Sequence, residues 1–179
     1  MTEANSHGNS FEALAMPLFA SLYNFAHWLT QNREEAEDLV QETYVKALKG
    51  FGSFQPGTNF RAWIFRILRN TFLTSRTGLK ASPTVPLDEE ENESILPATS
   101  ETPESLLLAH ASQELLQAAL EQVPVTFREV VVLCDVEEMS YQEIADTLAI
   151  PIGTVMSRLA RGRKAMRGFL QIKVQGVAS

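Results

Sequence analysis

The sequence predicts an all-α protein made of two small helical domains joined by an acidic flexible linker, and three observations carry that prediction. Apolar residues recur at three- and four-residue steps in both halves, and no alternating strand pattern appears in the first. Between Ala81 and about Glu104 the composition shifts to Pro83, Pro86, Pro97 and Pro103 around Asp88, Glu89, Glu90 and Glu91, too polar to bury a core. Beyond it, Ser140 to Leu170 has the capped helix, short turn and two-faced second helix of a helix-turn-helix.

Taken in order, Phe11, Leu14, Leu18, Leu22, Phe25 and Leu29 mark a first amphipathic segment, with Ser10 as its expected N-cap and Pro17 expected to kink or restart it. Asn32-Arg33-Glu34-Glu35 offers a capping box for a second helix ending near Gly50. Its expected buried stripe is Ala36, Leu39, Val40, Thr43, Ala47 and Leu48, and its outer face is acidic. After a Gly/Pro-containing loop, a third helix from about Asn59 places Phe60, Trp63, Ile64, Ile67, Leu68, Thr71 and Phe72 on one side, and Arg61, Arg66, Arg69 and Asn70 elsewhere. These segments make a three-to-four-helix bundle over residues 1–80, followed by a linker at 81–104 and a second domain at 105–179. Within the second domain, periodicity resumes from Leu106 to Val123, and Pro124 opens a helix running to Cys134.

Ser140 and Glu143 form a Ser-x-x-Glu capping box, and Ile144, Ala145 and Leu148 supply the apolar stripe of the helix that follows. Ile150-Pro151-Ile152-Gly153 interrupts the pattern, with Thr154 the expected cap of the next helix. At about 100° per residue, Thr154, Ser157, Arg158 and Arg161 share one arc, nearly opposite Val155, Leu159, Met166, Phe169 and Leu170. A helix anchored by its aliphatic side can hold arginines toward a major groove, where they pair with guanine O6 and N7. Arg163, Lys164 and Arg167 lie off that arc and suit phosphates. An arginine-rich final helix also serves elsewhere as a solvated surface complementing its own dipole; the capped first helix and segregated faces favour DNA.

Composition narrows the classes further. The formal charge of -7 on 179 residues looks wrong for a nucleic-acid binder, yet residues 81–112 carry seven acids and no base, whereas 152–179 carry six bases and no acid. Net charge therefore hides a basic surface. The single Cys134 excludes an intrachain disulfide or a cysteine zinc cluster and reads as a buried small hydrophobe. No metal cluster, nucleophilic triad or phosphate loop is present, so neither enzyme activity nor a cofactor or metal is expected. With no secretory signal and no apolar run of membrane-spanning length, a cytoplasmic location without membrane insertion is expected.

The motifs Ala36-Glu37-Asp38-Leu39-Val40-Gln41-Glu42-Thr43, Phe60 to Asn70, and Gly153 to Arg163 together resemble the extracytoplasmic-function (ECF) group of sigma-70 family RNA polymerase sigma factors. The resemblance implies that the first domain is region 2, docking on core RNA polymerase and opening the -10 element, and the second region 4, reading the -35 element. It assigns polymerase docking to Glu37, Asp38, Gln41, Glu42 and Lys46, and the -35 element to Thr154, Ser157, Arg158, Arg161, Arg163 and Lys164. A flipped -10 base would meet the loop from Phe54 and Gln55 to Asn59, together with Asn70, with Arg61, Arg66 and Arg69 nearest the phosphates. Core packing is the stronger expectation for Phe60 and Trp63.

The same resemblance implies promoter DNA and an anti-sigma factor as partners, a stress response as setting, and a linker that threads the polymerase channel. Two features depart from the pattern: Thr74 to Lys80 holds only two cations, and Met156 and Ala160 occupy recognition positions where relatives place larger polar or aromatic residues. Two other functions fit parts of the pattern, a stand-alone helix-turn-helix regulator and a helical adaptor that does not read DNA.

Overall fold

The structure, a computed structural model, describes residues 10–77 and 113–177. The expected linker at 81–104, and the part of the expected helix from Leu106 to Ser112, lie outside the described residues. All regular structure among the described residues is helical.

The first unit begins with α1 (residues 10–15), in which Ser10 is already helical rather than a cap. Pro17 then tightens Met16–Leu18 into a 3-10 turn and the chain restarts as α2 (Phe19–Thr30), as a proline lacking its N–H requires. Phe11, Leu22, Phe25 and Leu29 are buried, but Leu14 is exposed because it precedes the restart and falls off the core side. Gln31, at φ 54°, closes α2 with a left-handed cap.

Helix α3 (Arg33–Gly50) is capped by Asn32, whose side chain accepts the Glu35 N–H at 3.1 Å. Only this arm of the expected box forms. The Asn32 N–H donates to the Thr30 hydroxyl at 3.3 Å, and the Glu35 carboxylate pairs with Arg76 at 2.7 Å. Ala36, Leu39, Val40, Thr43 and Ala47 are buried as expected, whereas Leu48 is exposed, one step of about 100° beyond Ala47 on the solvent side. Helix α4 (Phe60–Thr77) buries Phe60, Ile64, Leu68, Thr71 and Phe72 against α2 and α3.

The second unit comprises α5 (Gln113–Gln122), α6 (Val125–Val131), α7 (Tyr141–Leu148) and the long α8 (Ile152–Val177). Pro124 caps α6, which widens after Val131 into a π turn over Val132–Val136, with Val130 to Leu133 fully or almost fully buried. Helix α8 packs on both α5 and α6, and Gly162 faces α6 at close range. A Cβ added there would come within 2.5 Å of Val131 Cγ2 and 3.2 Å of the Phe127 carbonyl oxygen. Only glycine lets the two helices meet at this spacing.

The two units are packed together. Helix α4 lies along α7, and α2 along α6, so one buried cluster runs from Phe25 and Phe65 to Val130 and Ile144. Arg128 pins this junction. Its guanidinium donates to the carbonyl oxygens of Leu120 (2.9 Å), Val123 (2.7 Å) and, across the boundary, Trp28 (3.0 Å). Those acceptors include carbonyls that the end of α5 leaves without helical partners.

Candidate nucleic-acid interface

The helix-turn-helix is built by local chemistry. The Ser140 hydroxyl accepts the Glu143 N–H at 3.2 Å, and the Glu143 carboxylate accepts the Ser140 N–H at 2.8 Å, so both arms of the capping box close. That backbone N–H, helped by Asn59, the Ser140 hydroxyl and Arg61, holds the Glu143 carboxyl below its ordinary pKa against the opposing effect of burial. Ala149, at φ 54°, ends α7, and the Pro151 carbonyl accepts from both Thr154 and Val155. Helix α8 therefore starts at Ile152, and Thr154 lies in its first turn instead of capping it.

The aliphatic face of α8 is buried as expected, whereas of the expected polar arc only Arg161 is exposed. Val155, Leu159, Met166 and Leu170 are buried, while Thr154 and Ser157 are half-buried and Lys164 is exposed. Arg161 is exposed, with its guanidinium 6.0 Å from the centre of the Phe127 ring. Arg163 turns back onto Asp135 at 3.1 Å. Beside that pair, burial and the Asp135 charge push the Cys134 thiol up to about 11, so it is protonated at neutral pH. Arg158 behaves differently. Its side chain is 11% exposed, with Nη1 buried 4.0 Å from the Glu129 carboxylate and forming no hydrogen bond.

On the first unit, Phe54 stacks on Phe51 and meets Phe60 edge-on at 5.3 Å and Trp63 at 5.2 Å. Gly57, at φ 87°, turns the loop so that the Phe51, Phe54 and Phe60 rings border a hollow of ≈ 450 Å³, rimmed by Leu14, Pro56 and Thr58. Phe60 is buried and Trp63 half-buried, in keeping with core packing as their main role. Gln55 and Asn70 are exposed.

The remaining polar residues of this set converge on the second unit. Asn59 caps α4 by accepting the Ala62 N–H, and its amide donates to Glu143 at 2.8 Å. Arg61 donates to the Glu137 carboxylate at 3.0 Å and to its carbonyl oxygen at 2.6 Å. Arg66 donates through Nε to the Asp146 carbonyl oxygen at 2.8 Å. Arg69, which the sequence placed away from the core, is buried and forks onto Glu129 at 2.9 and 3.0 Å. Sequence reasoning missed Glu129, Glu137 and Arg128. The one available signal was a lone Arg-Glu pair directly before the apolar run Val130 to Cys134, where an unpaired charge would be costly.

A separate surface forms on α3. Glu37, Asp38, Gln41, Glu42 and Lys46 are all exposed on one side of the helix, with Glu37 held by Arg33 at 2.9 Å and Glu42 by Lys46 at 2.8 Å. Asp38 and Glu42 border a groove of ≈ 340 Å³ between α3 and α4 that also includes Phe72 and Arg76.

Two helical units, the second bearing a helix-turn-helix with an arginine-bearing second helix, define a bipartite protein of the helix-turn-helix class. Comparison with known families is specific: Sigma-70 region 2 matches residues 17–80 and Sigma-70, region 4 matches residues 113–166. The chain belongs to the ECF group of the sigma-70 family of RNA polymerase sigma factors. It is 40% identical over 151 residues to the ECF RNA polymerase sigma factor SigE of Mycolicibacterium smegmatis, covering 83% of this chain and 57% of that protein's length. It is also 34% identical to the ECF RNA polymerase sigma factor EcfG of Rhodopseudomonas palustris, covering 85% of this chain and 80% of the relative. Among solved structures, it resembles the sigma factor RpoE of Bartonella quintana, determined in complex with the anti-sigma factor NepR. That match has a TM-score of 0.67 at 27% identity, over 91% of this chain and 98% of the other. No helix among the described residues is long and apolar enough to cross a membrane.

Proposed function

We propose that this chain directs core RNA polymerase to specific promoters and initiates transcription, catalysing no reaction itself. In this reading residues 1–80 bind polymerase and open the -10 element, 81–104 link, and 105–179 read the -35 element. Thr154, Ser157, Arg158 and Arg161 face the major groove, while Arg163 and Lys164 contact phosphates. The aromatic hollow beside Phe54 and Gln55, with Asn59 and Asn70, receives an unstacked base next to the backbone track of Arg61, Arg66 and Arg69. Glu37, Asp38, Gln41, Glu42 and Lys46 dock on polymerase.

The observation that carries the reading is the ordered pair of family matches, region 2 at 17–80 and region 4 at 113–166, on a chain whose α8 separates an aliphatic from an arginine-bearing face. The likeness to a sigma factor solved with its anti-sigma factor supports inhibition by such a partner, and a stress response in the cytoplasm is the setting we propose for its release. Run-off transcription with core polymerase over a fragmented genome tests the proposal. Discrete transcripts that depend on this chain support it, and none from any fragment refutes it. A stand-alone regulator would instead bind promoter duplex tightly without polymerase.

A further inference from the structure

We propose that Glu129 of α6 is an internal latch that holds Arg69 of α4 across the boundary between the units, with Arg158 of α8 beside the same carboxylate, and so keeps the free protein closed. The inference rests on the reading above that those arginines face promoter DNA. Glu129 is 4% exposed and accepts both prongs of the Arg69 fork, while Arg158 lies 4.0 Å from the same carboxylate with a buried, unbonded Nη1.

The rest of the α4 face is satisfied in the same chemical language. Asn59, Arg61 and Arg66 each donate to a carboxylate or carbonyl oxygen of the second unit, at Glu143, Glu137 and Asp146. These oxygens occupy donors that a nucleic-acid backbone would use, so closure and DNA binding compete for the same groups. A buried ion pair is suited to this role. Its attraction is largely cancelled by desolvation, so it fixes the register of the two units at little net stability, yet losing one partner strands the other's charge. Separation of the units releases Arg69 from Glu129 and leaves Arg158 beside that carboxylate within the second unit.

The test uses the full chain. Glu129→Gln keeps the size of the side chain and removes the charge. Its radius of gyration by small-angle scattering should rise, hydrogen exchange in α4 and α7 should quicken, and binding to a labelled mixed-sequence single-stranded DNA should tighten about tenfold as the open fraction grows. A folded Glu129→Gln protein with wild-type size and exchange overturns the proposal. Where that variant does not fold, Glu137→Arg decides: it sits at a turn, should expand the particle by opposing Arg61, and should be re-closed by the double swap Arg61→Glu with Glu137→Arg. Expansion without recovery in the swap, or no expansion, overturns closure through this face. Run-off transcription separates the two ideas. A compaction change without transcripts leaves the latch standing and removes the sigma reading; transcripts without a compaction change do the reverse.

Discussion

Replacing Arg128 by Ala tests the junction most directly. The guanidinium makes three bonds of 2.7 to 3.0 Å, to Val123, Leu120 and Trp28 carbonyl oxygens, and a longer one of 3.4 Å to Glu121. Each bond from a charged donor is worth about 1.5–3 kcal/mol, and its loss leaves a carbonyl at a helix end short of a partner. Burial of the guanidinium, which lowers its pKa from the ordinary value, is a cost that the variant no longer bears. The net loss is therefore about 2–4 kcal/mol rather than the sum of the bonds. Urea unfolding followed by circular dichroism measures it: at a slope of about 2 kcal/mol/M, the midpoint falls by about 1–2 M. Arg128→Lys should keep less than half of the difference, because one ammonium cannot span three carbonyls fixed by a planar fork. A midpoint within about 0.3 M of wild type for Arg128→Ala refutes the argument.

Four further outcomes follow from the same geometry. Gly162→Ala gains about 1 kcal/mol of helix propensity but forces its Cβ onto Val131 and the Phe127 carbonyl, so the variant should be less stable by about 1–2 kcal/mol; a thermal midpoint above wild type contradicts this. Glu143 has a depressed pKa in the folded state, so its contribution is present above the unfolded carboxylate value of about 4.3 and lost as pH falls through the folded one. Glu143→Gln should thus be less stable than wild type at pH 7, with the gap closing in acid; a gap constant down to pH about 3 excludes that linkage. The Cys134 thiol, raised to about 11, favours the fold below the ordinary thiol pKa and loses that contribution as pH climbs toward 11. Cys134 is half-buried rather than buried, so iodoacetamide at pH about 8 should label it more slowly than it labels the denatured chain, and equal rates by mass spectrometry refute a neutral thiol at this pH. Arg158→Ala and Arg161→Ala should each weaken promoter binding by the polymerase complex by about 1–3 kcal/mol, while an adaptor that does not read DNA would be indifferent to both.

Much of the fold was legible because it is written in local rules. Pro17 restarts a helix and Ser140 with Glu143 closes a capping box for reasons contained in a few consecutive residues. The apolar series of α4 and α8 likewise identified core positions, since a helix imposes its own period on whatever it packs against. Where expectation and structure part, the cause is competition between neighbours. Glu35 abandons the Asn32 cap because Arg76 lies within 2.7 Å, and the start of α8 moves to Ile152 because the Pro151 carbonyl accepts the N–H groups of Thr154 and Val155, which draws Thr154 into the first turn. The candidate site was legible as residue types on helical arcs, but not as partners.

By itself the chain's order of residues determined the helices, the acidic stretch between two apolar halves, the two faces of α8 and the family motifs. These depend on periodicity and short-range hydrogen bonding, which act over a turn or two of helix. Only the tertiary structure decided that α4 turns its basic side toward the second unit, that Glu129 meets Arg69 across 60 positions of chain, and that Arg128 reaches Trp28 across 100. A carboxylate in an apolar run costs free energy until a distant guanidinium arrives, and nothing in the local pattern names which one will come.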